Sequence, residues 1–269
     1  MGIVNRTPDS FYDQGATFGL EPARQAIHAA VSEGADVVDL GGVTASSGAY
    51  VSPEEEIDRI VPLVEWIRST YPDQLISIDT WRGKVAEAAC AAGADILNDA
   101  WAAADDAILD VAARYEAGYI ATHTGGREVR SEPVRPDYDD VVATVLAETT
   151  ALAERAVARG VPRAGVLIDA TGYGKDTFDH YQLVGRTEEF VATGWPVLMA
   201  LSNKEFVSES LDVERQERLT GTLAATTVAA LAGAVVFRAH NVEETRHTVE
   251  MVACINGTRP PARPNDWIS

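Results

Sequence analysis

Short apolar runs alternate with amphipathic segments along the whole chain. Eight runs read as strands, over residues 2–5, 36–40, 75–79, 95–98, 119–123, 165–169, 196–201 and 234–240. Between them apolar residues recur at helical spacing. The clearest case is Ile57, Ile60, Val61, Val64 and Ile67, which make one apolar face. That helix has a marked start: Ser52 is the cap, Pro53 fits the first helical position, and Glu55 completes a capping box. Gly34, Gly93, Gly118, Gly160, Gly194 and Gly233 stand where helices stop before the next strand.

Eight strand-then-helix units with nearly uninterrupted apolar strands imply a buried parallel sheet in an α/β protein. Their number and the length of 269 residues fit a closed (β/α)8 TIM barrel forming a single domain over residues 1–269. The competing architecture, a doubly wound open sheet, lacks its usual signature: no Gly-x-Gly-x-x-Gly follows the first strand. The longest stretch without periodicity, 125–137, carries Pro133 and Pro136 and reads as a loop after the fifth strand.

Composition narrows the partners. A net charge of −19 argues against nucleic acid and anionic membranes, so an anionic ligand needs a local cluster of cations. No apolar run is long enough to span a bilayer, and no secretory leader is evident. Cys90 and Cys254 sit in apolar helical stretches without metal-ligand spacing; both read as buried thiols of a reducing, cytoplasmic compartment.

Polar residues fall at the C-terminal ends of the strands almost every time: Asn5, Asp39, Asp79, Asn98 with Asp99, His123, Asp169, Ser202 to Lys204, and Arg238 with His240. A single Asp after a strand is most often a helix cap. A set of eight such ends gathers on the face where barrels place their chemistry, and buried carboxylates are costly unless paired. Asp79, Asn98 and Asp169 offer acceptors and an amide to a flat heterocycle with several N–H groups. Lys204, Arg238 and His240 come from the last two strands, where barrels bind phosphate, and Asn5 is placed to orient a phosphate or Mg2+. The residues together describe a site for a phosphorylated heterocycle.

The same residues carry a family likeness. "MGIVNRTPDSF" at residues 1–11, "ISIDT" at 76–80, "GADILND" at 93–99, "LSNKEF" at 201–206 and "FRAHNV" at 237–242 resemble, in order, the motifs of dihydropteroate synthase. The resemblance implies a TIM barrel that joins 6-hydroxymethyl-7,8-dihydropterin diphosphate to 4-aminobenzoate with Mg2+, releasing diphosphate. It further implies that Asp79, Asn98, Asp169 and Lys204 hold the pterin, that Asn5, Arg238 and His240 hold diphosphate, and that Asn5 is the metal ligand. Asp79, Lys204 and Arg238 would be the catalytic residues. Sulfonamide and sulfone analogues of aminobenzoate are implied ligands. A homodimer formed through the last helices is implied as well, with the Ala- and Thr-rich stretch 217–233 as its candidate surface.

The departures from the family pattern concern the second substrate. Its Gly-Gly-Glu-Ser-Thr-Arg-Pro-Gly loop is here Gly41-Gly42-Val43-Thr44-Ala45-Ser46-Ser47-Gly48, so Ala45 replaces the Thr that helps enclose aminobenzoate and Ser46 replaces the Arg. Tyr173 stands for a Phe, and Ser202-Asn203-Lys204 for Ser-Arg-Lys. This is similar to the second-copy, divergent synthase-like proteins of mycobacteria and related actinobacteria. The first strand begins at the first residue, so the segment that plugs the barrel bottom in relatives is expected to be absent. Three readings stand open: a synthase with weak or lost activity, a transferase using another nucleophile, and a non-catalytic pterin-binding paralogue.

Overall fold

The computed structural model describes residues 1–8, 15, 17–44, 48–131 and 136–263. Eight strands occur within it: β1 (Gly2–Asn5), β2 (Val37–Gly41), β3 (Leu75–Asp79), β4 (Ile96–Asp99), β5 (Gly118–Thr122), β6 (Val166–Asp169), β7 (Val197–Met199) and β8 (Val236–Phe237). All pair in parallel, in chain order, in one sheet. Beyond β8, Ala239 pairs with Gly2. Ile3 N donates to Ala239 O at 3.0 Å, and Ala239 N to Met1 O at 2.9 Å, so the chain after the last strand lies against the first.

Among the described residues ten α-helices connect and follow the strands: α1 (Leu20–Ser32), α2 (Pro53–Thr70), α3 (Gly83–Ala91), α4 (Ala107–Arg114), α5 (Val141–Ala158), α6 (Thr177–Gly185), α7 (Thr187–Val191), α8 (Glu205–Leu211), α9 (Leu219–Leu231) and α10 (Val242–Ile255). Among the described residues, no helix is long and apolar enough to cross a membrane.

The strands alternate more strictly than their sequences suggest. Val38, Leu40, Ile76, Ile78 and Leu97 are buried and join the core with Ile60, Leu63, Val64 and Ile67 of α2. Each such aliphatic side chain contributes about 1.5–3 kcal/mol of transfer free energy. Because side chains alternate across a strand, Asp39, Ser77, Asp79 and Asn98 face away from these helices, inward and toward each other. The apolar faces thus pack the helices on, and the same strands carry the polar site on their inner side.

Local expectations meet four corrections. Ser52 caps α2 by accepting from Glu55 N at 3.1 Å, but the Glu55 side chain pairs with Arg59 at 2.5 Å instead of closing a capping box; the nearby guanidinium outcompetes a backbone N–H. The α2 core face runs through Ile60, Leu63, Val64 and Ile67, with Ile57 and Val61 half-buried at its edge. Gly118 opens β5, and the left-handed position before it belongs to Glu116, at φ 51°. The other five glycines do take left-handed conformations. Cys90 is buried, whereas Cys254 is only half-buried, and both are free thiols.

Candidate functional site

Arg238, just after β8, is the hub. Its Nε donates to Asp39 Oδ2 at 2.6 Å and its Nη2 to Asp79 Oδ2 at 2.8 Å. Asp39 also accepts from Ser77 Oγ at 2.7 Å and from Asn98 Nδ2 at 3.2 Å. Five residues on or just after four different strands are therefore one hydrogen-bonded set, with Asp39 wholly buried at its centre. Such a charge is tolerable in the interior only because it is paired and fully hydrogen-bonded. Among the described residues no hydrogen bond uses Arg238 Nη1, which leaves a donor for a ligand.

The electrostatics are unusual. Burial pushes Asp79 up to about 7 against the pull of Arg238, with Asp39, Glu56 and Asp99 adding to the rise. Burial works against the Arg238 charge, yet Asp39 and Asp79 hold its pKa above the ordinary value.

Asp169 and Lys204 meet at a second node. Asp169 Oδ1 accepts from both N and Oγ1 of Thr171 at 2.7 Å. Lys204 Nζ donates to the Thr171 carbonyl oxygen. Burial lowers Lys204 to about 8, opposed by Asp169 and assisted by Arg238. The two nodes are thus close enough for their charges to act on each other. Ser202 Oγ, from the loop after β7, reaches the segment after β8, within 3.1 Å of both His240 Nδ1 and His240 N. Asn5 ends β1 beside Gly41; a Cβ at Gly41 would stand 2.6 Å from Asn5 Oδ1, so the missing side chain makes room for that amide.

Of the residues named from sequence, Asn5, Asp79, Asn98, Asp169, Ser202, Lys204, Arg238 and His240 all stand at C-terminal strand ends or just beyond them. Ala45, Ser46 and Ser47 lie outside the described residues. The stems of their loop are well held: Arg59 Nη1 donates to Gly42 O at 2.8 Å, Arg82 Nη2 to Val51 O at 2.7 Å, and Arg130 Nη1 to Ala49 O at 2.9 Å. Arg82 is fixed in turn by buried Glu56, which accepts from Arg82 Nη1 and Thr80 Oγ1, each at 2.7 Å.

Three sequence readings need revision. Asp99 does not join the site; it faces the other side of β4 and accepts from Trp101 N, Ala103 N and Tyr119 Oη at 2.9, 2.5 and 2.7 Å. His123 belongs to a side network: its Nδ1 lies 2.8 Å from Lys175 Nζ, and burial with Lys175 lowers it to about 3. Asp39, in contrast, is central. Its signal was an acid followed by two glycines inside an otherwise apolar strand, and only the hydrogen-bonded set distinguishes it from a cap.

Comparison with known proteins places this geometry. A family model described as pterin binding enzyme matches residues 1–240. A relative named inactive dihydropteroate synthase 2, from Mycobacterium tuberculosis (strain ATCC 25618 / H37Rv), is 56% identical over 98% of this chain and 84% of its own. A solved structure from Mycobacterium tuberculosis is 48% identical with a TM-score of 0.75, covering 97% of this chain and 93% of its own. The Yersinia pestis dihydropteroate synthase, solved with a sulfonamide drug complex, is 32% identical with a TM-score of 0.89, covering 96% and 94%. With its polar residues at the strand ends and this match over most of its length, the chain belongs to the pterin-binding enzyme family.

Proposed function

We propose that this protein binds 6-hydroxymethyl-7,8-dihydropterin diphosphate in a dihydropteroate synthase-type site, with transfer to 4-aminobenzoate weak or lost. The observation that carries the reading is the joined set at the strand ends: Asp79 bonded directly to Arg238 and Asn98 tied to it through Asp39, with Asp169 and Lys204 meeting at Thr171. In this reading Asp169 and Asn98 take the N–H edge of the pterin. Lys204 and the spare donor of Arg238 meet the anionic side, with His240 beside them. Asp79 stands where a carboxylate steadies positive charge developing on the pterin methylene carbon as diphosphate departs. The weak-transfer part rests on the uncharged loop with Ala45 and Ser46, and on the relative whose name calls it inactive.

Mg2+ fits as an ion carried by the ligand. Among the described residues no cluster of three His, Cys, Asp or Glu side chains forms a metal cage. Asn5 offers one neutral oxygen, and Mg2+ commonly takes few protein ligands beside phosphate oxygens and water. When bound, the ion would neutralise the leaving diphosphate. The reading extends to a closed (β/α)8 barrel as one domain, supported by the hydrogen bonds between Ala239 and β1. A homodimer through α9 and α10 is supported by exposed Leu231, Met251 and Ile255 on those helices. A cytoplasmic location is supported by the two free thiols.

Calorimetry with the pterin diphosphate tests the ligand. Lys204 gives up its proton near pH 8 in the free protein, and an anion beside it favours the protonated form. Binding therefore takes up a proton, and affinity is expected to fall as pH rises through 8, by up to about ten-fold per unit. Titrations at pH 7 and pH 9, in buffers of differing ionisation enthalpy, check this. No binding at either pH contradicts the ligand; pH-independent binding contradicts the role of Lys204.

A further inference from the structure

Three loops deliver an aromatic stack to the mouth of the site. Trp101 follows β4, and its backbone is held by the Asp99 carboxylate through Trp101 N and Ala103 N. Ala102 and Ala103 are both left-handed, at φ 55°. Consecutive non-glycine residues in that region are strained and persist only when their surroundings over-determine them. Tyr173 follows β6. It is brought in by Gly172, where any Cβ would overlap the His123 carbonyl oxygen and the Thr122 methyl group, and it is held by Lys175 Nζ donating to Tyr173 O at 2.8 Å.

The two rings stack with centroids 4.8 Å apart and planes 27° from parallel. Arg127, from the loop after β5, lies 5.4 Å from the Trp101 centroid and 5.3 Å from that of Tyr173, while its Nε donates to Ser131 O at 3.1 Å. Trp81 meets Trp101 edge-on at 6.4 Å. The stack adjoins the site: Trp101 stands three residues after Asn98 at the end of β4, and Tyr173 stands two residues after Thr171, which bonds both Asp169 and Lys204. At this separation no third ring enters between Trp101 and Tyr173.

We propose that Trp101 and Arg127 are specificity-determining residues: with Tyr173 they fill, with the protein's own aromatic surface, the slot beside the pterin cluster where an aromatic second substrate would lie. This rests on the pterin reading of that cluster. It adds to the altered loop a second, physically separate reason for exclusion. A ring entering the slot must break one stacked pair and two cation–π contacts, which together represent about ten- to hundred-fold in affinity.

The test uses Arg127→Ala and Trp101→Leu in the full chain. An unreactive stand-in for the pterin diphosphate, 6-hydroxymethyl-7,8-dihydropterin with pyrophosphate, fills the first site, and 4-aminobenzoate is titrated by calorimetry and tryptophan fluorescence. The expected result is unchanged pterin affinity with 4-aminobenzoate affinity raised at least about ten-fold over the wild type. Intact pterin binding with unchanged aminobenzoate affinity overturns the slot and leaves the pterin reading standing. Absence of pterin binding in the wild type overturns that reading and the slot with it. Near-UV circular dichroism reports folding; should Trp101→Leu not fold, Arg127→Ala decides alone, since its side chain lies in a loop.

Discussion

Arg238→Met is expected to destabilise the protein by about 3 kcal/mol at pH 7, read by urea unfolding, and to abolish measurable binding of the pterin diphosphate. Removing one partner of a buried ion pair costs about 3–5 kcal/mol because the remaining charge is left uncompensated. Here two carboxylates lose their counter-ion, but Asp79 is 24% exposed and partly screened, so the lower end applies. The sign with pH follows from Asp79, which is already raised to about 7. A raised carboxyl holds its proton more tightly in the folded chain than in the unfolded one, and losing Arg238 raises it further. The unfolded state is common to both proteins, so the part of the deficit that Asp79 carries is small below about pH 7, where its carboxyl is protonated in both folded forms, and grows as pH rises past 7. A variant as stable as the wild type at pH 7 would mean that the Asp39–Arg238–Asp79 set is not what balances this interior.

Asp169→Asn separates binding from folding. Asn retains an oxygen to accept from Thr171 N and Oγ1, both of which bond to Asp169 Oδ1, so the unfolding midpoint is expected to move little. What disappears is a charged acceptor for the ligand. A hydrogen bond to a charged group is worth about 1.5–3 kcal/mol, so affinity for the pterin diphosphate should fall by about ten- to hundred-fold. Calorimetry measures this directly, and unchanged affinity would show that Asp169 is not a pterin ligand.

Much of this arrangement is legible in the sequence because strand ends carry strong local signals. All eight strands fall within a few residues of their apolar runs. The order of polar residues at their ends brings Asp79, Asn98, Arg238, Asp169 and Lys204 to one face. What sequence cannot supply is direction. Asp99 and Asn98 are neighbours with equal claims, and only the pleat of β4 turns Asn98 toward Asp39 and Asp99 toward Tyr119. The aromatic stack was hidden for another reason: Trp101, Arg127 and Tyr173 lie 26 and 46 residues apart and meet only because three loops are folded over the same mouth. The loop at 43–48 carries the clearest departures in sequence, and its middle, 45–47, lies outside the described residues, so its meaning comes from its stems and from what has been built beside it.

The proposal at the centre is a strand-end site that keeps its pterin while refusing the usual second substrate. A pyrophosphate-release assay tests it most directly, with saturating pterin diphosphate and Mg2+, with and without 4-aminobenzoate, beside an active dihydropteroate synthase. Loss of a single positioned contact to transition-state charge lowers turnover by about 10²–10³-fold. The predicted result is calorimetric saturation by the pterin, with aminobenzoate-dependent release at least about 100-fold slower than in the active enzyme. Release at the rate of the active enzyme would contradict the account.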